Sequence, residues 1–175
     1  MARMLPLIGA FILLTALPAH ATTPLDVSTG LKTLLQITGK QSDSALVVVL
    51  YNPADPTSQP DADAIAASIN NGSAVPAGLK LTAKVMTVGS FSWIPGARAA
   101  FLAQGFTASS YAEISKTANA SGAVTMSADL HCVKANRCVL GFATQSSVQI
   151  YYSSFAAETA HVTFTPAFMM LANQI

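Results

Sequence analysis

The residues of this chain best suited to chemistry are two cysteines, Cys132 and Cys138, with Asp129 and His131 just before them. Two chemistries suit this cluster. One is a disulfide between the cysteines, and the other is a metal site that joins both thiolates to the imidazole and the carboxylate. His131 and Cys132 are adjacent, so on a strand they would point to opposite faces and could not easily converge on one ion. The pattern therefore favours the disulfide.

Other side chains offer little for catalysis. A cysteine nucleophile activated by His161 requires a free thiolate, which a disulfide removes. Serines are plentiful, but no Gly-x-Ser-x-Gly turn occurs, and Asp61 and Asp63 suit the first turn of a helix better than acid–base work. Glu113 and Glu158 are isolated charges, and the sequence has no glycine-rich phosphate loop. The sequence predicts no catalytic residue, no metal and no cofactor, and hence a protein that is not an enzyme.

An aromatic segment at residues 91–95 is a candidate for binding instead. It follows a predicted strand and contains the only tryptophan of the chain. Phe91, Trp93 and Ile94 could line a cleft at the strand ends or contact a partner. The alternative is a loop that caps the core, because tryptophan is usually well buried. The sequence leaves both interpretations open.

The chain that carries these residues begins with an export pattern. Arg3 gives a basic start, residues 5–16 form a short apolar core, and Ala19 and Ala21 are small residues of a cleavage site. The apolar run is shorter than the ~20 residues that span a bilayer, which argues against an uncleaved transmembrane helix. We expect residues 1–21 to be a signal peptide and Thr22 to begin the mature chain. No later segment is predicted to enter a membrane, and the destination is an oxidising compartment such as the periplasm.

The charge balance excludes two classes of partner. The sequence has nine lysines and arginines and eight aspartates and glutamates, so removal of Arg3 leaves eight of each. No basic run or stripe is present, which excludes nucleic acid and an anionic lipid surface as expected partners. Charged residues make up only 10 % of the chain. Such a low share suggests that a partner covers some neutral surface, although richness in alanine and serine would give the same value.

Helix and strand patterns alternate along residues 22–175, which predicts one α/β domain with a mixed, mostly parallel sheet flanked by helices. The predicted helices cover residues 27–37, 61–69, 96–104, a segment that begins at residue 153 or 154, and one that begins at residue 166. The predicted strands cover residues 45–51, 79–88, 122–126, 139–143, 148–152 and 161–164. Residues 106–120 are ambiguous, with a strand near 111–114 and a short helix as one interpretation.

Two predicted units carry most of the functional argument. The strand at 45–51, the helix at 61–69 and the strand at 79–88 form a βαβ unit, whose proline-rich loop at 52–60 follows the first strand and offers a ligand crevice. The strands at 139–143 and 148–152 form a hairpin, and we expect the disulfide to close a tight polar turn at its head.

The closing third of the chain has a recognisable order. The residues that carry it are Asp129, Cys132, Cys138-Val-Leu-Gly, Val148-Gln-Ile-Tyr-Tyr-Ser, Phe155-Ala-Ala, Val162-Thr-Phe and Phe168-Met-Met-Leu-Ala. This order, over residues 127–172, resembles the C-terminal pattern of the YfiR-like periplasmic proteins. Three features depart from that family. A Trp-Pro pair near the start of the mature domain is missing, Tyr152-Ser153 stands where asparagine is usual, and the loop that opens after the first cysteine has a slightly different spacing.

The resemblance implies a small periplasmic α/β protein without an active site. Its relatives restrain an inner-membrane signalling protein, such as a diguanylate cyclase, by binding the periplasmic domain of that protein, often as a homodimer. A sensor kinase is a further partner of the same type. The alternative function is a small solute-binding component of a transport system, for which the loop at 52–60 would be the crevice. Solute-binding proteins usually close two lobes around a ligand, and this chain has material for one.

Overall fold

The computed structural model describes residues 21–39, 44–89 and 96–175. Within these residues the helices are α1 Pro24–Thr33, α2 Ser58–Asn70, α3 Ala108–Ser121, α4 Leu130–Lys134, α5 Ser154–Thr159 and α6 Pro166–Leu171. A turn of 3-10 helix, Leu34–Gln36, extends α1. The strands are β1 Ser44–Tyr51, β2 Lys80–Thr87, β3 Ala97–Leu102, β4 Val124–Ser127, β5 Leu140–Ala143, β6 Gln149–Tyr152 and β7 Asn173–Gln174.

The strands form one sheet in the order β2-β1-β3-β4-β5-β6-β7. Neighbouring strands from β2 to β5 run parallel, β6 is antiparallel to β5, and β7 is parallel to β6. This sheet confirms the predicted single α/β domain with a mixed, mostly parallel sheet. The predicted βαβ unit is also confirmed, because β1 and β2 pair in parallel along their whole length with α2 between them in the chain.

Helices cover both faces of the sheet, so alternate residues of the central strands enter two different cores. Val47 and Val49 of β1 belong to one core, while Val48 and Leu50 belong to the other. The first core also receives α1, α2, α5 and α6 through Leu31, Ile65, Ala156 and Phe168. The second core receives α3 and α4 through Ile114 and Val133. The predicted strand at 45–51 is confirmed, and it is covered on both faces.

The predicted helix at 96–104 is wrong, because residues 97–102 form β3. Its alanines suggested a helix. However, a short run of apolar residues has the same sequence pattern in a strand buried on both faces as in a buried helix. In the sheet, β3 pairs with β1 on one side and β4 on the other. Ala99 and Phe101 face the first core, and Ala100 and Leu102 face the second. Pairing on both edges overrides the local preference of alanine for a helix.

Two of the weaker strand predictions are also corrected. Residues 111–114 lie within α3, which Thr107 caps through its side chain and which ends at the left-handed Gly122. Residues 161–164 form no strand, because His161 has a φ of 53° and only Phe164 makes a β-bridge, with Ile37. Prediction of the last two helices is confirmed, with Ser153 as the cap of α5 and Pro166 in the first turn of α6.

The Cys132–Cys138 disulfide is confirmed, with the two Cα atoms 5.2 Å apart. Both cysteines are fully buried in the second core. Cys132 lies within α4, and the residues between the two cysteines form the end of that helix and a turn at Asn136, whose φ is 57°. The disulfide therefore leads into the β5–β6 hairpin as predicted, but it clips a short helix to the start of β5 and does not close a β-turn.

None of the helices in the described ranges has the length and apolar character that a membrane crossing needs. The buried disulfide fits an oxidising compartment outside the cytoplasm, because thiols in the cytosol are kept reduced.

Candidate recognition surfaces

The order of the strands creates a switch point between β1 and β3. The chain leaves β1 toward β2 on one side and later returns to place β3 on the other side, with both neighbours parallel to β1. Loops from the carboxyl ends of such strands diverge and leave a crevice, where open α/β sheets bind ligands. We call this region the carboxyl edge, and it comprises the residues that follow β1, β3 and β4.

Hydrogen bonds tie the loop after β1 to the loop after β3. Asn52 donates from Nδ2 to the carbonyl oxygen of Gly105 over 2.6 Å. Ser58 donates from Oγ to the carbonyl oxygen of Gln104 over 2.6 Å, and its Oγ accepts from the backbone N–H of Asn52 over 2.9 Å. Ser58 is fully buried, so these hydrogen bonds fasten the two loops to each other away from solvent.

Asp55 is the charged group at the centre of this arrangement. Its Oδ1 accepts from the backbone N–H of Thr57 over 2.8 Å and from the Thr57 hydroxyl over 2.7 Å. These two hydrogen bonds lower the pKa of Asp55 below its ordinary value. The side chain packs against Gly105, whose φ is 88°, so closely that a Cβ on Gly105 would lie 2.3 Å from Oδ2 of Asp55. Glycine at position 105 is required both by the backbone and by the carboxylate.

A shallow depression of about 360 Å³ opens beside this loop. Tyr51, Pro53, Asp55, Gln59 and Asp63 line it together with two further prolines. The carboxylates and the amide are suited to a solute that carries hydrogen-bond donors or a positive charge. The loop at 52–60 therefore lies where the sequence placed a crevice, at the carboxyl end of β1.

A second polar cluster follows β4. The Tyr111 hydroxyl donates to Oδ2 of Asp129 over 2.6 Å, and Oδ1 of Asp129 lies 2.8 Å from Nδ1 of His131. Burial, the hydrogen bond to Asp129 and its negative charge together raise the pKa of Tyr111 above its usual range. Burial alone would raise the pKa of Asp129, but hydrogen bonds from Tyr111 and His131 lower it below its ordinary value. Asp129 also caps α4, so the cluster serves to anchor that helix.

Replacement of Tyr111 by phenylalanine is expected to cost about 1–2 kcal/mol at neutral pH, because Asp129 loses a hydrogen-bond donor. The pKa of Tyr111 is higher in the folded than in the unfolded chain, so its contribution is complete below about pH 10 and declines above that pH, as tyrosine ionises in the unfolded chain. Urea unfolding of both proteins between pH 7 and 11 measures this. We expect the free energy of unfolding to fall less between pH 7 and pH 11 in Tyr111→Phe than in the wild-type protein. Equal falls in the two proteins would contradict a raised pKa of Tyr111 in the folded chain.

The side chains of the other sites considered from the sequence do not come together. Both cysteines are oxidised, so neither is available as a thiolate for a metal or for a pairing with His161. Among the described residues, no three of the side chains that commonly ligate metals are grouped around one point. Asp61 lies in the first turn of α2, where the sequence placed it, whereas Asp63 lies one turn further on because the helix begins at Ser58, and Glu113 lies in α3. Phe91, Trp93 and Ile94 lie outside the described residues.

A separate apolar surface lies at the end of the chain. Phe168 of α6 is buried in the first core, stacked on Phe164 with 4.5 Å between the ring centroids. The next three residues, Met169, Met170 and Leu171, are 48 %, 87 % and 82 % exposed. We call these three residues the α6 apolar face. Consecutive large apolar side chains with this exposure are uncommon on a protein surface and are typical of contact sites.

Several residues of the carboxyl edge were missed by sequence reasoning. Gln104 and Gly105 were assigned to the end of a helix, so their place beside β1 was hidden. Ser58 was counted as part of a loop, and nothing indicated its buried hydrogen bonds. A glycine directly after an apolar run was the one available signal, because such a glycine often marks a backbone that leaves a strand at positive φ.

Comparisons with known proteins identify the fold and no more. No protein-family model and no curated protein matches the chain. Among solved structures, a conserved domain protein of Vibrio cholerae is 14 % identical with a TM-score of 0.61, and the match covers 85 % of this chain and 59 % of that one. An ABC domain from Streptococcus pneumonia, solved in complex with L-Trp, is 11 % identical with a TM-score of 0.60, over 85 % of this chain and 61 % of that one.

These two likenesses concern architecture, since the identities are low. The chain spans about three-fifths of the length of each of the two structures. Its fold is that of a part of these larger proteins, one of which holds an amino acid.

Proposed function

We propose that this chain is an exported, non-enzymatic interaction protein of the YfiR-like type. In this proposal it acts in the periplasm and modulates an inner-membrane signalling protein, such as a diguanylate cyclase or a sensor kinase, by binding its periplasmic domain. The α6 apolar face is the observation that carries the proposal. It is an apolar contact surface in the same C-terminal unit where the sequence resembles that family.

The packing of α6 supports a contact role for its exposed side. Phe168 packs on Phe164 and near Tyr152, with ring centroids 4.5 and 6.1 Å apart. This aromatic cluster fixes the orientation of the helix on the first core. Met169, Met170 and Leu171 are therefore presented in a defined arrangement, and methionine side chains adapt readily to an apolar partner surface.

The chemistry of the carboxyl edge supports a protein without catalysis. Asn52 and Ser58 are engaged in holding neighbouring loops, and the Asp129 carboxylate is held by Tyr111 and His131. The Asp55 carboxylate accepts from the hydroxyl and the backbone N–H of Thr57 and so holds its own loop. The polar side chains of this edge are thus occupied with one another and with the loop backbone.

Photo-crosslinking in the exporting cell tests the proposal. A benzophenone side chain placed at Met170 is expected to yield a product with an inner-membrane signalling protein that has a periplasmic domain, identified by mass spectrometry. The same group at Thr82, exposed on the edge strand β2 at the other end of the sheet, is the matched control and should yield no such product. A product with a permease in place of a signalling protein, or no product with a signalling protein at all, would contradict the proposal.

A second function is favoured by one observation, the fold likeness to a protein that holds L-Trp. In this alternative the chain is a small solute-binding component of a transport system, and the depression beside Asp55 binds the solute. Asp55, Gln59 and Asp63, which line the depression, would contact it. Stabilisation of the purified protein by an amino acid in a thermal-shift series would favour this function over the first.

A further inference from the structure

Asp61 is a carboxylate buried beneath the carboxyl edge. It lies in the first turn of α2 and is only 6 % exposed. Its Oδ2 accepts from the backbone N–H of Gln104 over 2.9 Å, which fixes the start of the loop after β3. No lysine or arginine of the described ranges forms an ion pair with Asp61. A buried carboxylate without a cation is costly, so its remaining partners matter.

The remaining partners of Asp61 both come from Thr22. The backbone nitrogen of Thr22 donates to Oδ1 over 2.8 Å, and the Thr22 hydroxyl donates to Oδ2 over 2.9 Å. Thr22 is also the residue at which the sequence predicts the mature chain to begin. Ala21, just before it, is exposed. The predicted cleavage point therefore coincides with the nitrogen that contacts the buried carboxylate.

We propose that signal-peptide cleavage creates an ion pair between the new amino terminus of Thr22 and Asp61. Signal peptidase hydrolyses the Ala21–Thr22 peptide bond with one water, so the released segment ends in the Ala21 carboxylate. The Thr22 amine keeps its hydrogen, gains one from water and takes up a proton to become an ammonium. The amide N–H of the precursor is a neutral donor, whereas the ammonium neutralises the carboxylate and forms a stronger, charge-assisted hydrogen bond.

The position of this ion pair gives cleavage a structural consequence. Asp61 joins the mature amino terminus to Gln104, and the next carbonyl groups of that loop accept from Ser58 and Asn52. Immediately after Thr22, Thr23 caps α1 by accepting from the backbone N–H of Asp26, and the Asp26 carboxylate accepts in return. The terminus is thus held at the start of α1. Cleavage therefore adds an ion pair to the hydrogen bonds that hold the loops of the carboxyl edge.

Thermal unfolding of four proteins tests the ion pair. They are the processed chain that begins at Thr22, the same chain extended by Gly-Ser-Ala before Thr22, and the Asp61→Asn variant of each. We expect the extension to lower Tm by about 3–8 °C in the native sequence and by much less in Asp61→Asn. An extension that leaves Tm unchanged, or that lowers it equally in both backgrounds, would overturn the proposal.

Two further measurements test the ion pair without the Asp61→Asn variant. Mass spectrometry of the exported protein is expected to find Thr22 as the first residue, and a different terminus would overturn the proposal. Titration of the ¹³C-methylated terminal amine by NMR is expected to give a pKa above the range of about 7.7–8.0 that is usual for this group. A pKa within that range would also overturn it. Neither measurement concerns the partner of the α6 apolar face.

Discussion

Replacing Gly105 with alanine is expected to destabilise the protein by about 2–4 kcal/mol. A residue with a side chain in the left-handed region costs about 1–2 kcal/mol, and the φ of Gly105 is 88°. The new Cβ would also lie 2.3 Å from Oδ2 and 2.8 Å from Cβ of Asp55. Because even the Cβ of Asp55 is too close, rotation of the carboxylate cannot relieve the clash, and overpacking of this kind costs a further 1–3 kcal/mol or so.

Gly78→Ala is the matched control for this prediction. Gly78 has a φ of 89°, but nothing lies within 4 Å of the position that its Cβ would take. Urea unfolding should therefore give only the cost of the backbone conformation for Gly78→Ala and a clearly larger cost for Gly105→Ala. Addition of Asp55→Ala to Gly105→Ala should recover part of the difference. Equal losses for the two glycines would show that Asp55 does not pack against Gly105 as described.

Removal of the disulfide is expected to have an effect of similar size. In the chain-entropy model a loop this short contributes about 2 kcal/mol, and Cys132→Ala/Cys138→Ala also removes two buried sulfur atoms from the second core. We expect a total loss of about 3–4 kcal/mol. Hydrogen exchange should become faster in α4, because the disulfide fastens this five-residue helix to β5.

Wild-type protein refolded under reducing conditions is the control for the disulfide. It keeps both sulfur atoms, so it should lose only the entropic part, about 2 kcal/mol. The difference between reduced wild type and the double variant then measures the packing of the sulfurs. Unchanged stability after reduction would contradict a stabilising role for the disulfide.

The parts of the fold that the sequence predicts are those with an unambiguous pattern. Residues 45–51 have a β-branched run between polar segments, and Ser153 and Pro166 are strong signals for the start of a helix. Lys80, Thr82 and Lys84 alternate with apolar residues, a pattern typical of a strand with one face in water, and these three are exposed on the edge strand β2. In each case a local signal and the tertiary environment agree.

Prediction failed where the tertiary environment decides. Residues 97–102 are a strand because β1 and β4 pair with both of their edges, and no local pattern records this. The same error hid Gly105 and Gln104, and with them the carboxyl edge. The α6 segment was predicted as a helix, but its division into a buried Phe168 and an exposed Met169, Met170 and Leu171 depends on how six residues dock onto the first core.

Binding of the mature protein to the periplasmic domain of its crosslinked partner tests the central claim most directly. Met170→Asp places a charge in the α6 apolar face, and Thr82→Asp places the same charge on β2; both sites are exposed, so both variants should keep the wild-type Tm. We predict that Met170→Asp weakens binding at least about tenfold, as for a residue at the centre of an apolar contact, while Thr82→Asp binds like wild type. Equal affinity of the two variants, or absence of binding by the wild-type protein, would contradict the account.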